Sequence, residues 1–343
     1  MVKYEVFIEQ PTLDFYRLSY SPREDYTCTG LWIGGMFTGA SGKHYHGMRG
    51  FNEFGHGMAQ SYYFMELKEL WPAGNFAPDL YPELPIGQME SYEYSESADE
   101  VHFVGENVRL DTRVGSFDWY DAKGRWELHA KQLGQAFTFF VSEQDGIALP
   151  MQYRSQIGKA MGKINEDPVE GYTYFDVSYS KPGNIYFNLP LLRKIEKRWS
   201  SWLVEYTDGE IDGGVAWKGQ GDTGFSAGHL LQKGVSTAVS DARVFTTYDE
   251  RGTVWKTRIE LGGEVVELEQ DTCTSWPMHT FGRVVSTSRG KEIAKSWTFT
   301  EWVPDNVEAL TERYLAGEFQ DRRELLRDVR VENERLVFPE HMP

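Results

Sequence analysis

The chain has 343 residues and carries 35 Lys and Arg against 52 Asp and Glu, a net charge of −17. That balance excludes a nucleic-acid binder, which needs a basic stripe to displace counterions, and it opposes attachment to an anionic membrane surface. Aromatic residues make up 15% of the chain beside 34 Gly, a composition that favours pleated, half-buried strands and many turns over helices.

The N-terminus, Met1-Val2-Lys3-Tyr4-Glu5-Val6, lacks the apolar core of a secretory signal. No stretch approaches the ~18 uninterrupted apolar residues of a membrane span, so the expected location is the cytoplasm. The two cysteines, Cys28 and Cys273, are too few for a disulfide scaffold.

The first stretch with chemical content is Gly42–His56, which gathers His44, His46, Glu53 and His56 among four glycines. With period-two alternation, His44 and His46 share one face of a strand. Two readings stay open: proton transfer inside a pocket, or a metal site completed by His56 or Glu53. The bland alternative is an exposed polar loop.

Strand patterns follow over Glu100–Leu110, with a break at Gly105-Glu106-Asn107, and then over Arg125–Lys131 and Ala136–Val141. From Pro150 to Tyr172 the alternation fails and glycines recur, so this segment reads as a linker between two halves, residues 1–165 and 166–343. Tyr153 and Arg154 within it are candidates for anchoring a substrate. Beyond it, Tyr172 and Tyr174 alternate with Phe175, which puts both tyrosines on the face of Asp176. An acid among rings has its pKa raised by desolvation, which suits protonation of an alkene or carbonyl.

Leu189–Trp199 reads as helical. Trp217, and Gly228-His229 at a glycine-rich bend, are further substrate-binding candidates, and His279 beside Trp276-Pro277 is placed at a pocket mouth. Arg243–Tyr248, Thr253–Leu261 and Glu264–Gln270 form an antiparallel meander separated by Asp249–Gly252 and Gly262-Gly263. Gly282–Thr287 and Glu292–Trp302 make another pair. Asp305 can cap a short C-terminal helix. No Gly-x-Gly-x-x-Gly run is followed by a helix, and the P-loop and the Cys-x-x-Cys pair are missing.

The run Gly171-Tyr172-Thr173-Tyr174-Phe175-Asp176, with Pro182-Gly183 and the downstream Trp199, Trp202, Asp208-Gly209 and Trp217, resembles the hydroxyneurosporene synthase (carotenoid 1,2-hydratase) and AttH-like superfamily. The resemblance implies an all-β fold of two lipocalin-like antiparallel β-barrel domains in tandem. It also implies a reaction on an apolar substrate without a nucleotide cofactor. A hydratase-type Trp-Asp-His motif is absent, so no residue role is carried over from it.

The resulting expectation is a lyase or isomerase of hydratase, dehydratase or cyclase type that needs no cofactor. It would act on a hydrophobic terpenoid, polyketide or aromatic in an aromatic-lined pocket. His44, His46, Glu53, His56 and Asp176 are its candidate acids and bases, and Tyr153, Arg154, Tyr172, Tyr174, Trp217 and His229 its candidate substrate contacts. A non-catalytic binder of apolar or carbohydrate ligands is the alternative, and a carboxylate-pair glycosidase a third reading. A homodimer is left open.

Overall fold

The computed structural model describes residues 1–53, 55–67, 89–144, 149–184, 192–221, 223–248, 254–273, 279–306, 330–332 and 335–337. The first sheet comprises β1 (Tyr4–Glu9), β2 (Thr27–Gly39), β3 (His44–Phe51), β4 (Met58–Leu67), β5 (Met89–Glu96), β6 (Val101–Gly105), β7 (Val108–Arg113), β8 (Ser116–Asp121), β9 (Trp126–Gln132), β10 (Ala136–Val141), β11 (Met151–Ile164) and β12 (Asp167–Ser180). Ten of these strands close into an antiparallel barrel in the order β11-β12-β2-β3-β4-β5-β6-β7-β8-β9. Closure depends on the length of β11. Its C-terminal half pairs with β9 and its N-terminal half with β10, so β10 and β1 peel away as a flap.

A four-residue helix, Leu192–Ile195, precedes the second sheet. That sheet holds β13 (Arg198–Tyr206), β14 (Ile211–Lys218), β15 (Ser226–Gln232), β16 (Val235–Val239), β17 (Arg243–Tyr248), β18 (Val254–Leu261), β19 (Glu264–Cys273), β20 (His279–Thr287) and β21 (Ile293–Trp302). Their order is β16-β15-β14-β13-β21-β20-β19-β18-β17, an open sheet curled into a half-barrel. The fold is therefore all-β and consistent with tandem lipocalin-like barrels.

Three apolar clusters follow from strand alternation. Leu31, Ile33, Phe37, Phe51, Phe103 and Phe175 point into the closed barrel and fill it. Trp202, Val204, Ile259, Leu261 and Leu268 fill the curl of the second sheet. The third cluster lies between the sheets: Trp32, Met36, Met48, Tyr153, Tyr172 and Tyr174 on the outer face of the barrel meet Trp199, Leu203, Trp217, Phe281 and Phe299.

Several expectations change here. The Pro150–Tyr172 segment is not a linker but all of β11 and the start of β12, two strands of 14 residues each. Most of β11 and β12 is buried on both faces, between the barrel core and the second sheet, so neither shows an alternating pattern. The second half was expected to begin at residue 166, yet β12 pairs along both edges within the first sheet, so sheet membership changes only after Ser180. Among the described residues of the helix expected over Leu189–Trp199, Leu192–Ile195 are helical and Trp199 lies in β13. The expected C-terminal helix and the Asp249–Gly252 turn lie outside the described residues. No helix among the described residues is long and apolar enough to cross a membrane, a statement that leaves strands out of account.

Candidate active site between the two sheets

Directly opposed residues of an antiparallel pair project to the same side. Phe137, Ser155, Asp176, Trp32 and Gly50 therefore form one row across β10, β11, β12, β2 and β3, facing the second sheet. From the other side come two rows across β13, β21 and β20: Trp199, Glu301 and His279, then Ser201, Phe299 and Phe281. Tyr174 joins the layers, its ring 5.4 Å from that of Trp199 and 5.9 Å from that of Phe299. It lies over Gly34, where a Cβ would stand 2.3 Å from its hydroxyl. Its hydroxyl donates to Met48 Sδ at 2.8 Å.

Asp176 is the chemically distinctive group of this layer. It is 3% exposed, and its Oδ1 has no hydrogen-bond partner among the described residues. Burial raises its pKa, the Ser155 and Tyr153 hydroxyls pull it down, the Glu301 carboxylate raises it, and the result is about 7. The acid therefore exchanges its proton near neutral pH. Tyr172, beside the Ser201 hydroxyl, is held well above its ordinary range by burial and stays a neutral phenol.

His46 sits on β3 opposite Met36, with its ring 4.2 Å from that of Phe281. Its Nδ1 lies 2.9 Å from the Gly35 carbonyl oxygen. Burial drives its pKa down to about 3, with His279 adding in the same direction, so it is a neutral imidazole. Glu53 is buried rather than part of an exposed loop, and its Oε2 accepts from Trp32 Nε1 at 3.1 Å. His44 shares the face of His46 but stands at the rim, where its Nδ1 lies 3.1 Å from Thr38 Oγ1, which also accepts from Trp297 Nε1.

The remaining candidates divide. Tyr153 faces the layer, its ring 4.7 Å from that of Trp217. Trp217 is pinned by its Nε1 donating to the Ile195 carbonyl at 2.7 Å. His229 is not at a bend but midway along β15, fully buried and stacked parallel to Phe137 with centroids 6.2 Å apart. Gly228 misled because it reads as a turn residue. Its absent side chain serves packing instead, since a Cβ there would stand 2.3 Å from Leu261 Cδ1. Burial lowers the pKa of His229 to about 4.

Arg154 alternates to the other face of β11 and pairs with Glu9 at 2.9 Å among the rings of Phe15, Tyr20 and Tyr179, away from Asp176. His56 is exposed on the turn after Phe51. Neither joins the layer.

The alternative metal reading also changes. Among the described residues no group of three or more His, Cys, Asp or Glu is arranged to hold a metal ion. The cross-strand neighbours of His44 and His46 on β2 are Thr38 and Met36, and Glu53 turns to Trp32.

Sequence reasoning missed Glu301, Ser155, Trp32, Trp199 and Phe299, and placed His279 only at a pocket mouth. His279 is buried on β20, with Nε2 3.3 Å from Glu301 Oε1. Glu301 is 31% exposed and marks where the layer reaches solvent. The local alternation of β21 could have placed Glu301 on the face of Phe299, but no sequence signal says that this face meets Asp176.

No protein-family model matches the chain, and no curated protein matches it. Among solved structures it is similar to an AttH protein of Nitrosomonas europaea, with TM-score 0.40 and 11% identity over 83% of this chain and 96% of that one. It is also similar to CghA with Sch210972, with TM-score 0.40 and 10% identity over 81% and 89%. Kievitone hydratase from Nectria haematococca matches with TM-score 0.33 and 11% identity over 80% and 89%. At these scores the likenesses carry no residue role across, and the site rests on its own geometry.

Proposed function

We propose that the layer between the two sheets is the reaction site of a cofactor-independent lyase or isomerase acting on a hydrophobic small molecule. The observation that carries this reading is Asp176, a carboxyl 3% exposed among aromatic rings with a pKa of about 7. A group poised there can deliver a proton to an alkene or carbonyl carbon skeleton and recover it within one cycle.

The surrounding rings of Trp32, Tyr153, Tyr174, Trp199 and Phe299 supply apolar walls, and their π faces favour a developing positive charge. His46, neutral at working pH, acts as an orienting hydrogen-bonding group and not as the acid. Glu301, at the edge open to solvent, and the buried His279 beside it provide the second acid–base pair and the path by which Asp176 is reprotonated. Glu53 fixes the indole of Trp32 and thereby the wall beside Asp176.

The test is proton exchange into carbon. The protein is incubated in D2O with a panel of isoprenoid alkenes, polyketide enones and prenylated phenols, and products are read by mass spectrometry. Deuterium uptake by at least one class, lost in Asp176→Asn and retained in Arg154→Gln, is the expected result. Uptake that persists in Asp176→Asn removes the assigned acid. Tight retention of a panel member with no uptake favours a non-catalytic binder instead.

A further inference from the structure

We propose that the curl of the second sheet holds a separate binding site for a small carboxylate, built from Arg198, Trp302 and Thr257. The inner face of a curled antiparallel sheet is ordinarily an apolar core, and one end of this one is: Val204, Leu261, Val266 and Val284 meet there. The other end is not. Ser200, Gln270, Thr298 and Thr300 point inward, each fully buried, and bond to one another, with Ser200 Oγ 3.1 Å from Thr300 Oγ1 and Gln270 Nε2 donating to the latter at 3.2 Å. Trp202, lying over Gly214, separates the two ends.

At the mouth of the polar end Arg198, 4% exposed, reaches across the curl from β13 to β17. Its Nε donates to Thr246 Oγ1 at 3.4 Å and its Nη2 to the Tyr248 hydroxyl. Trp302 is its direct cross-strand neighbour on β21, with the ring centroid 5.4 Å from the guanidinium carbon. Thr257 is the direct neighbour of Thr246 on β18. The Trp302 ring thus packs beside the guanidinium, and Thr257 stands next to the threonine that accepts from it.

Trp302 and Thr257 are each 1% exposed, and neither the indole N–H of the one nor the hydroxyl of the other has a hydrogen-bond partner among the described residues. A buried polar group left unpaired is costly, so two of them beside one cation mark a place made for a partner. The chemistry of that partner is constrained. Indole N–H and guanidinium N–H groups only donate, so the partner must accept, and beside a guanidinium a charged acceptor bonds more strongly than a neutral one. A carboxylate presents two acceptor oxygens, enough for both donors. This site lies on the face of the second sheet opposite Trp199, Glu301 and Ser201, so it is separate from the layer that holds Asp176.

The experiment uses the full chain labelled with 15N. Its 11 indole N–H signals are followed while acetate and then benzoate are added, with acetamide and benzamide as neutral controls and chloride held constant. The Trp302 signal is identified by its loss in Trp302→Phe. A saturable downfield shift of that signal with one or both carboxylates, and none with the amides, is expected. Thr257→Val should weaken binding, read from the Trp302 signal, about tenfold, the equivalent of one charge-assisted hydrogen bond, while Asp176→Asn binds unchanged. No saturable shift with either carboxylate overturns the proposal, as does equal response to the amides or affinity unaltered in Thr257→Val. Loss of proton exchange in Asp176→Asn would leave this result untouched, so the two sites stand or fall separately.

Discussion

Replacing Asp176 by Asn should stabilise the protein, and by an amount that grows with pH. A free aspartate titrates near 3.8 and Asp176 near 7. Each tenfold change in proton affinity is worth about 1.4 kcal/mol, so holding the ionised carboxylate in the layer costs the folded state about 4 kcal/mol. The folded chain keeps this proton to higher pH than the unfolded chain. The contribution to stability is therefore complete below about pH 4, declines as pH rises, and levels off above about pH 7. Asn has nearly the same volume and no charge to lose.

Urea titrations of both proteins at pH 5 and pH 8 should show the advantage of Asp176→Asn widening by about 3 kcal/mol between the two. Taking the difference between the proteins cancels every other titrating group. An advantage independent of pH would mean that Asp176 ionises as an ordinary surface acid, and a variant that grows less stable with pH would reverse the sign of the argument.

The buried pair Arg49–Asp121, at 2.7 Å inside the barrel, should be costly to break: Arg49→Met should lose about 3–5 kcal/mol in urea unfolding, since it strands a carboxyl whose pKa burial already raises. Gly171→Ala places a Cβ 2.0 Å from the Met36 carbonyl oxygen, so the β12–β2 pairing must shift, and thermal unfolding should show a loss of about 2–3 kcal/mol. Lys159 bridges the sheets through Glu205 at 2.5 Å and Glu170 at 3.2 Å; Glu205→Gln should cost about 1 kcal/mol in low salt and less at 1 M NaCl. His46 and His229, with pKa values lowered to about 3 and about 4, should show neutral imidazole signals in 15N NMR from pH 5 to pH 8. Because the unfolded chain takes up protons that these folded imidazoles refuse, they withdraw stability as pH falls below about 6.5.

Much of the second sheet was legible because its turns carry their chemistry openly. Gly262 and Gly263, with φ of 59° and 87°, close the β18–β19 hairpin in the geometry that glycine pairs favour. The hairpin that matters most for the site concealed itself. Asn165 and Glu166, with φ of 50° and 65°, turn β11 into β12, and Glu at the second position gives no glycine signal. Both strands are also sandwiched between two packed layers, so the polar positions that would reveal alternation are buried as well: Ser155, Gln156 and Asp176 are at most 3% exposed.

For the same reason the face of Asp176 was readable from Tyr172 and Tyr174, but its environment was not. The groups that raise its pKa come from burial against a different sheet and from Glu301, 125 residues downstream. Likewise a glycine beside a histidine reads as a bend, and only the packing of Leu261 explains Gly228 within β15.

The central claim is that a carboxyl buried between the two sheets exchanges its proton near neutrality. Selective 13C labelling of aspartate side chains, with the Asp176 resonance assigned by its absence in Asp176→Asn, measures this directly. The account predicts a carboxyl titration with a midpoint of about 7. A midpoint at or below the ordinary aspartate value, about 4, would contradict it and remove the acid on which the proposed chemistry depends.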